Sequence, residues 1–367
     1  MCGVIVFKEC LLAKNEKLKD FLAALVNEGG SDLLLVHGAA ASMRKNGVVE
    51  KIDEAVLEGA EIEGLVEPVL SATAAVQYKK EQIADSSYRI DGLGRFRINL
   101  HRERGRAAAT IRALPSKVPT LAELGLPAEA GNLAGLRRGL VLIGGAAGAG
   151  KSTTMAALVN MINQRDARHI VTIEDPVEYE HEHMRSVIEQ VEVGTDAPDF
   201  PTALRAALRQ APDVLVVGEM RDAESMSIAV SAAETGHLVL STLHTTDVGS
   251  SISRISDSFP LERQGTIRDE LAMAVTAVMT QALVPSRKVG RIPAVELLMV
   301  GYGARQHIRH NALQHLNQEI TMTKAKGSIA FEESLSRLVK EGHLERDEAM
   351  EFAVHPDDLK SRLRGVA

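Results

Sequence analysis

Hydrophobic and polar positions change rhythm near residue 115, and that change divides the chain. Before it, helical and strand patterns are mixed. Glu16 to Asn27 brings Leu18, Phe21, Leu22 and Leu25 round at helical spacing, and Glu28-Gly29-Gly30 ends the run. Ser31 to His37 is an apolar strand candidate, and a turn-rich link leads to another extended stretch near Asn46 to Lys51. Gly94 to Leu100 alternates with Phe96, Ile98 and Leu100 on one face, and Ala107 to Ile111 is placed to pair with it. These patterns predict an α+β domain over residues 1–114.

Pro115, Pro119 and Pro127 mark a linker over 115–127, with Thr120 to Leu124 as a short helix inside it. Beyond the linker the pattern becomes α/β, over 128–367. Strands are expected at Gly139 to Ile143, His169 to Ile173, Val214 to Val217 and His237 to Thr242. Helices are expected at Lys151 to Asn163, Ala203 to Gln210 and Ala223 to Thr235. Such alternation predicts a mostly parallel sheet covered by helices. From about Leu261 the spacing reads as helical, above all over Asp269 to Val284 and Ala330 to Glu341.

Composition narrows the chemistry. With 367 residues, 45% of them hydrophobic and 25% charged, there is enough chain for about two domains with proper cores. No apolar run approaches the ~18 residues of a membrane-spanning helix, and the N-terminus has no secretory-signal pattern. A cytoplasmic protein is the expectation. Two cysteines, Cys2 and Cys10, exclude a disulfide scaffold and a four-thiolate zinc site. The formal charge of −7 and the 3% aromatic content argue against a nucleic-acid surface. One stretch departs from that average: Arg89 to Arg112 is crowded with arginine against only Asp91 and Glu103, which suits an acidic small ligand or another subunit.

Gly145-Ala146-Ala147-Gly148-Ala149-Gly150-Lys151-Ser152-Thr153 matches the G-x-x-x-x-G-K-[ST] phosphate-loop pattern, between an apolar strand and a helix. Gly145, Gly148 and Gly150 let backbone N–H groups wrap the phosphates, and the helix N-terminus adds partial positive charge. Lys151 is placed for the β- and γ-phosphates and the Ser152 hydroxyl for Mg²⁺.

Binding alone does not hydrolyse; a positioned water and charge stabilisation are also needed. Val214 to Gly218 is an apolar stretch ending in Glu219, where a Walker-B carboxylate sits. Glutamate in place of the commoner aspartate favours contact through a magnesium-bound water or a role in orienting the nucleophile. Ile173-Glu174-Asp175-Pro176-Val177-Glu178 gathers a second set of acids at a strand end, and either Glu174 or Glu178 could polarise water as a general base. His237 and His244 frame a strand. Seven positions apart, they fall on opposite faces unless a turn after Thr242 redirects His244 toward a γ-phosphate. His181-Glu182-His183 and His307, His310 and His315 invite a metal reading, but isolated surface histidines are commoner.

In order, GAAGAGKST, IEDPVEY, VVGEMRD with AAETGHL, and STLHTT resemble the Walker A, Asp, Walker B and His boxes of the secretion-ATPase superfamily, specifically the type IV pilus retraction motors of the PilT/PilU kind. The resemblance covers most of the chain. Ser31-Asp32-Leu33 and Gly94-Arg95-Phe96-Arg97 look like the family's N-terminal domain, and GRIPAVELL at 290–298 and ARQHIR at 304–309 like its C-terminal segment. It implies an α/β fold with a PAS-like α+β N-terminal domain and a RecA-like P-loop ATPase domain. It also implies catalytic roles for Glu178, Glu219 and His244, and metal contact by Ser152 and Glu219. Nucleotide contact would fall to Lys151, Ser152, Thr153 and His237, and phosphate contact to Arg97 and Arg112 of the N-terminal domain.

The cofactors implied are ATP and Mg²⁺. The implied partners are further copies in a hexameric ring and an inner-membrane pilus platform protein, with no nucleic acid. The chain would be a cytoplasmic motor, peripherally associated with that machinery, which drives pilus retraction. Secretion and pilus-assembly relatives usually add an N-terminal domain and a CxxC…CxxC zinc insertion that two cysteines cannot build. The C-terminal motif departs from the retraction pattern, with His310 where an acid is usual. Three other readings stay open: an assembly or type II secretion ATPase, a P-loop kinase or nucleotide switch, and a binding-only accessory subunit.

Overall fold

The computed structural model describes residues 16–364; Cys2 and Cys10 lie outside them. The chain divides between Lys117 and Val118. In the first unit a helix over 16–27 (α1) is followed by β1 (Asp32–Leu35), β2 (Ala40–Lys45), β3 (Val48–Val56), α2 (Gly59–Val66), α3 (Ala72–Glu81), β4 (Ile83–Ile90), β5 (Gly94–Glu103) and β6 (Arg106–Ala113). The strands form one antiparallel sheet in the order β3-β2-β1-β6-β5-β4. Leu18, Leu22 and Leu25 of α1, Ile62 of α2 and Tyr78 of α3 bury one face of it, against Phe96, Ile98, Leu100 and Ile111. Strand alternation turns Arg97 and Arg112 to the other face.

The second unit carries a seven-stranded sheet ordered β13-β12-β7-β11-β10-β8-β9. Its elements, in chain order, are β7 (Gly139–Gly144), α4 (Lys151–Arg165), β8 (His169–Glu174), β9 (Val187–Glu192), α5 (Phe200–Ala207), β10 (Val214–Val217), α6 (Ala223–Glu234), β11 (Leu238–Leu243), α7 (Val248–Ser256), α8 (Leu261–Ala274), β12 (Val275–Ser286), β13 (Gly290–Met299), α9 (Tyr302–Arg309), α10 (Leu316–Met322), α11 (Phe331–Lys340), α12 (Arg346–Phe352) and α13 (Pro356–Arg362). All pairings are parallel except β12 with β13. Both faces of the central strands are buried. Leu140, Leu142, Val239 and Leu215 pack with α5 to α10, while Val141, Ile143, Val216 and Leu240 pack with α4. This is the helix-covered α/β sheet that the strand–helix alternation predicts.

Three local expectations need correction. Asp269 to Val284 is not one helix: α8 stops at Ala274, and Val275–Ser286 is strand β12, paired parallel with β7 and antiparallel with β13. Val275, Ala277, Val278 and Met279 are all fully buried, so neither face of the strand needed polar residues and its period-2 signature vanished. The edge strand β9 was not foreseen. Its inward positions include Gln190 and the buried Glu192, which break the expected apolar alternation. Residues 121–125 form turns rather than a short helix.

Glu296 on β13 is an unusual buried acid. Burial pushes its carboxyl up to about 7 from an ordinary 4.5. The Val248 N–H, donating to Oε2 at 2.9 Å, works against this, Asp247 and Glu332 add to it, and His355 opposes it. The folded chain therefore takes up a proton that the unfolded chain lacks between those two values. The associated stability is complete below about pH 4.5 and is lost as pH rises through 7, by roughly 3 kcal/mol. Glu296→Gln, which stays neutral, is expected to gain stability relative to the native chain by about that amount from pH 5 to pH 8. Urea unfolding of both proteins at each pH measures it; a pH-independent difference would contradict the assignment.

Candidate functional site

The carboxyl ends of β7, β8, β10 and β11 lie side by side, because parallel register sets Gly144 opposite Leu243, and Val217 opposite both Ile173 and Ser241. The phosphate-loop residues span β7 and α4. Gly148 and Gly150 take φ of +76° and +85°, and Gly150 forms the N-cap of α4 with no side chain covering the helix end. The first N–H groups of a 15-residue helix therefore face the loop. A Cβ on Gly145 would lie 2.8 Å from the Gln281 carbonyl oxygen and 2.9 Å from Ala149 Cβ, so only glycine fits there.

Lys151 is only 8% exposed. Its Nζ donates to the carbonyls of Gly145 at 2.8 Å and Ala146 at 3.0 Å, and lies 3.4 Å from His244 Nδ1. Burial pushes its ammonium below the ordinary value, against the charges of Glu219 and Glu178. His244 Nε2 lies 3.2 Å from Glu219 Oε1, and Glu219 Oε2 accepts from Arg221 Nε at 2.9 Å. Arg221 continues toward Asp175, at 3.8 Å. This geometry suits the tautomer with the His244 proton on Nε2, accepting at Nδ1 from lysine and donating to glutamate. One polar chain thus joins the phosphate-loop lysine to the acid at the end of β10.

Glu174 ends β8 and Glu178 follows it four residues on, but they differ. Glu174 accepts from Thr172 Oγ1 at 2.7 Å and Gln190 Nε2 at 3.2 Å, and burial holds its carboxyl above the usual range. The Glu178 side chain accepts no hydrogen bond from the described residues. Ser152 is exposed at the first turn of α4. Thr153 Oγ1 instead accepts from the Tyr179 hydroxyl at 3.0 Å. The exposed Ser152 hydroxyl and the Glu219 carboxylate are hard oxygen donors of the type Mg²⁺ takes. Both Glu219 oxygens are already engaged, which fits contact through a metal-bound water better than direct ligation.

His237 is not brought to this place. It precedes β11 while His244 follows it, so a six-residue strand, on the order of 20 Å, separates them. The His237 ring bonds the Ala232 carbonyl at 3.0 Å at the opposite edge of the sheet. A nucleotide-contact role for His237 at this chain's own phosphate loop is thereby corrected. Among the described residues, no three or more histidines, cysteines and acids come together in a group that could hold a metal ion. In the first unit, Arg97 and Arg112 are direct cross-strand partners on the exposed face. Arg112 Nε donates to Asp32 Oδ1 at 2.8 Å. Burial tends to raise that carboxyl, but Arg112 and Ser31 together hold it below its usual range. Arg97 lies 3.6 Å from Asp85.

Sequence reading missed Gln281. From β12 its Oε1 accepts from Thr154 Oγ1 at 2.9 Å and its Nε2 donates to the Ala149 carbonyl at 2.5 Å, clamping the loop to the start of α4. No local signal marks it, since it lies 132 positions from Ala149.

A phosphate loop, a strand-end acid and a histidine joined to both define a P-loop nucleotide hydrolase. The chain belongs to the type II/IV secretion system protein family, whose model matches residues 96–350. It is an ATP-hydrolysing enzyme of that family. It is 36% identical to the type IV pilus retraction ATPase PilT of Pseudomonas aeruginosa, over 93% of this chain and 99% of that one. It is 34% identical to the type IV pilus ATPase PilU of the same organism, over 95% and 91%. The solved structure of the pilus retraction motor PilT with bound ADP superposes with a TM-score of 0.84, at 38% identity over 92% of this chain and 97% of that one.

Proposed function

We propose that this chain is a pilus retraction motor that hydrolyses Mg²⁺-bound ATP in a hexameric ring and drives twitching motility. The polar chain Lys151–His244–Glu219 beside the phosphate loop carries this reading. Lys151 and the N-terminus of α4 hold the phosphates; Ser152 directly, and Glu219 through a metal-bound water, would hold Mg²⁺, which would supply charge neutralisation at the phosphates. Glu178 orients the attacking water, and His244 links the state of the phosphates to Glu219. The ring works at the cytoplasmic side of the inner membrane, against a pilus platform protein. The described residues contain no helix long and apolar enough to cross a membrane, in keeping with peripheral attachment.

Phosphate release by the native protein and by Glu219→Ala, with sizing of both assemblies, tests the reading. The native protein should turn over ATP without an added acceptor and migrate as a hexamer; Glu219→Ala should lose about 100-fold or more in kcat at unchanged size. Native-like turnover in Glu219→Ala would remove Glu219 from the mechanism, and turnover only with an acceptor would point to a kinase.

A further inference from the structure

The loop after β8 is held by side chains of the edge strand β9. Gln190 Oε1 accepts from the His181 N–H at 2.9 Å, and its Nε2 donates to the Tyr179 carbonyl at 2.9 Å and to Glu174 Oε1 at 3.2 Å. Two residues on, the buried Glu192 accepts from the Val177 N–H at 3.1 Å. Residues 177, 179 and 181 thus turn backbone groups toward β9. On the other side of the loop, the Tyr179 hydroxyl donates to Thr153 Oγ1 at 3.0 Å, at the start of α4. Val177 and Tyr179 are buried, and Glu178 stands between them, its carboxylate within the field of the Lys151 ammonium but accepting no hydrogen bond from the described residues. The placement of that carboxylate therefore follows its backbone, whose own N–H bonds the Glu174 carboxyl that Gln190 also holds, and whose neighbours are fixed by Gln190, Glu192 and Tyr179.

We propose that Gln190 is a positioning residue for ATP hydrolysis: its carboxamide, with Glu192 and Tyr179, clasps the loop so that the Glu178 carboxylate is aimed at the attacking water. The proposal rests on the reading of Glu178 as the residue that orients water. It assigns a catalytic purpose to an edge strand that touches no phosphate-loop glycine. A displacement of about 1 Å at a group that orients a nucleophile costs on the order of 100-fold in rate, whereas nucleotide binding depends on Lys151 and α4 and is untouched.

The experiment is a double-mutant cycle on the full-length protein, reading steady-state ATP hydrolysis and ADP affinity. Gln190→Ala is expected to lower kcat by tens- to about 100-fold with KM and ADP affinity within about threefold of native, and to lower kcat no further in a Glu178→Gln background. A native kcat in Gln190→Ala beside a crippled Glu178→Gln overturns the proposal and leaves Glu178 in place. Equal losses in both backgrounds also overturn it, because they report a general structural role. A native kcat in Glu178→Gln overturns the underlying reading instead. If Gln190→Ala does not fold, Tyr179→Phe carries the same test, since it removes only the hydroxyl bond to Thr153. A several-fold loss of kcat confined to the Glu178 background is then expected, and loss in both or in neither overturns the proposal.

Discussion

Lys151→Met is expected to abolish nucleotide binding while leaving the empty fold close to native stability. The ammonium is buried, and its partners are the carbonyls of Gly145 and Ala146 and, more distantly at 3.4 Å, His244 Nδ1. Ala146 is exposed, so water can replace that bond; removing a desolvated charge offsets the other. Urea unfolding without nucleotide should therefore agree with native to within about 1 kcal/mol. With ADP at about 100 times the native dissociation constant, the native chain gains about 2.7 kcal/mol, and the variant should gain almost nothing. Turnover should fall below detection. A Lys151→Met protein that still shows the ADP-dependent gain would mean that the phosphates are held elsewhere.

Glu178→Gln carries the second large effect, in the opposite compartment of the kinetics. A water-orienting carboxylate contributes on the order of 10²–10⁴ in rate, and its amide isostere removes that while keeping shape. The side chain has no hydrogen-bond partner among the described residues, so the substitution disturbs no network. ADP affinity and unfolding midpoint should be native, and single-turnover phosphate release should fall by at least about 100-fold. Glu174 could not serve in its place, since Thr172 and Gln190 occupy its carboxyl and burial favours its neutral form. A native single-turnover rate in Glu178→Gln would shift the water-orienting role to Glu219.

What the sequence disclosed followed from how local the physics is. The phosphate loop was legible because backbone wrapping, helix dipole and lysine must come from contiguous residues. Glu219 and His244 were legible because each ends an apolar strand, and parallel strands bring their ends together. Spacing alone left Glu174 and Glu178 open, because they differ in hydrogen bonds from β9, whose inward-facing glutamine and glutamate hid it as a strand. Gln281 was invisible for a related reason: it sits on β12, which reads as helix when both faces are apolar. His237 was misplaced because a strand framed by two histidines sets them at its two opposite ends, and a turn after Thr242 redirects only His244.

The position of β12 has a mechanical meaning for a machine that pulls. This strand is hydrogen-bonded on one side to β7, which runs into the phosphate loop, and on the other to β13 over a ten-residue ladder. Leu335, Leu338, Leu359 and Leu363 of the C-terminal segments pack with Val284 and Ile292 of this hairpin. Tension applied to the last helices would reach the loop across two ladders, one antiparallel with bonds perpendicular to the strands and one parallel with slanted bonds. A pull along the strands would load those bonds together in shear rather than break them one at a time. Gln281 ties the same strand to the loop through Thr154 and Ala149, so a shift of β12 would be felt at the phosphate loop.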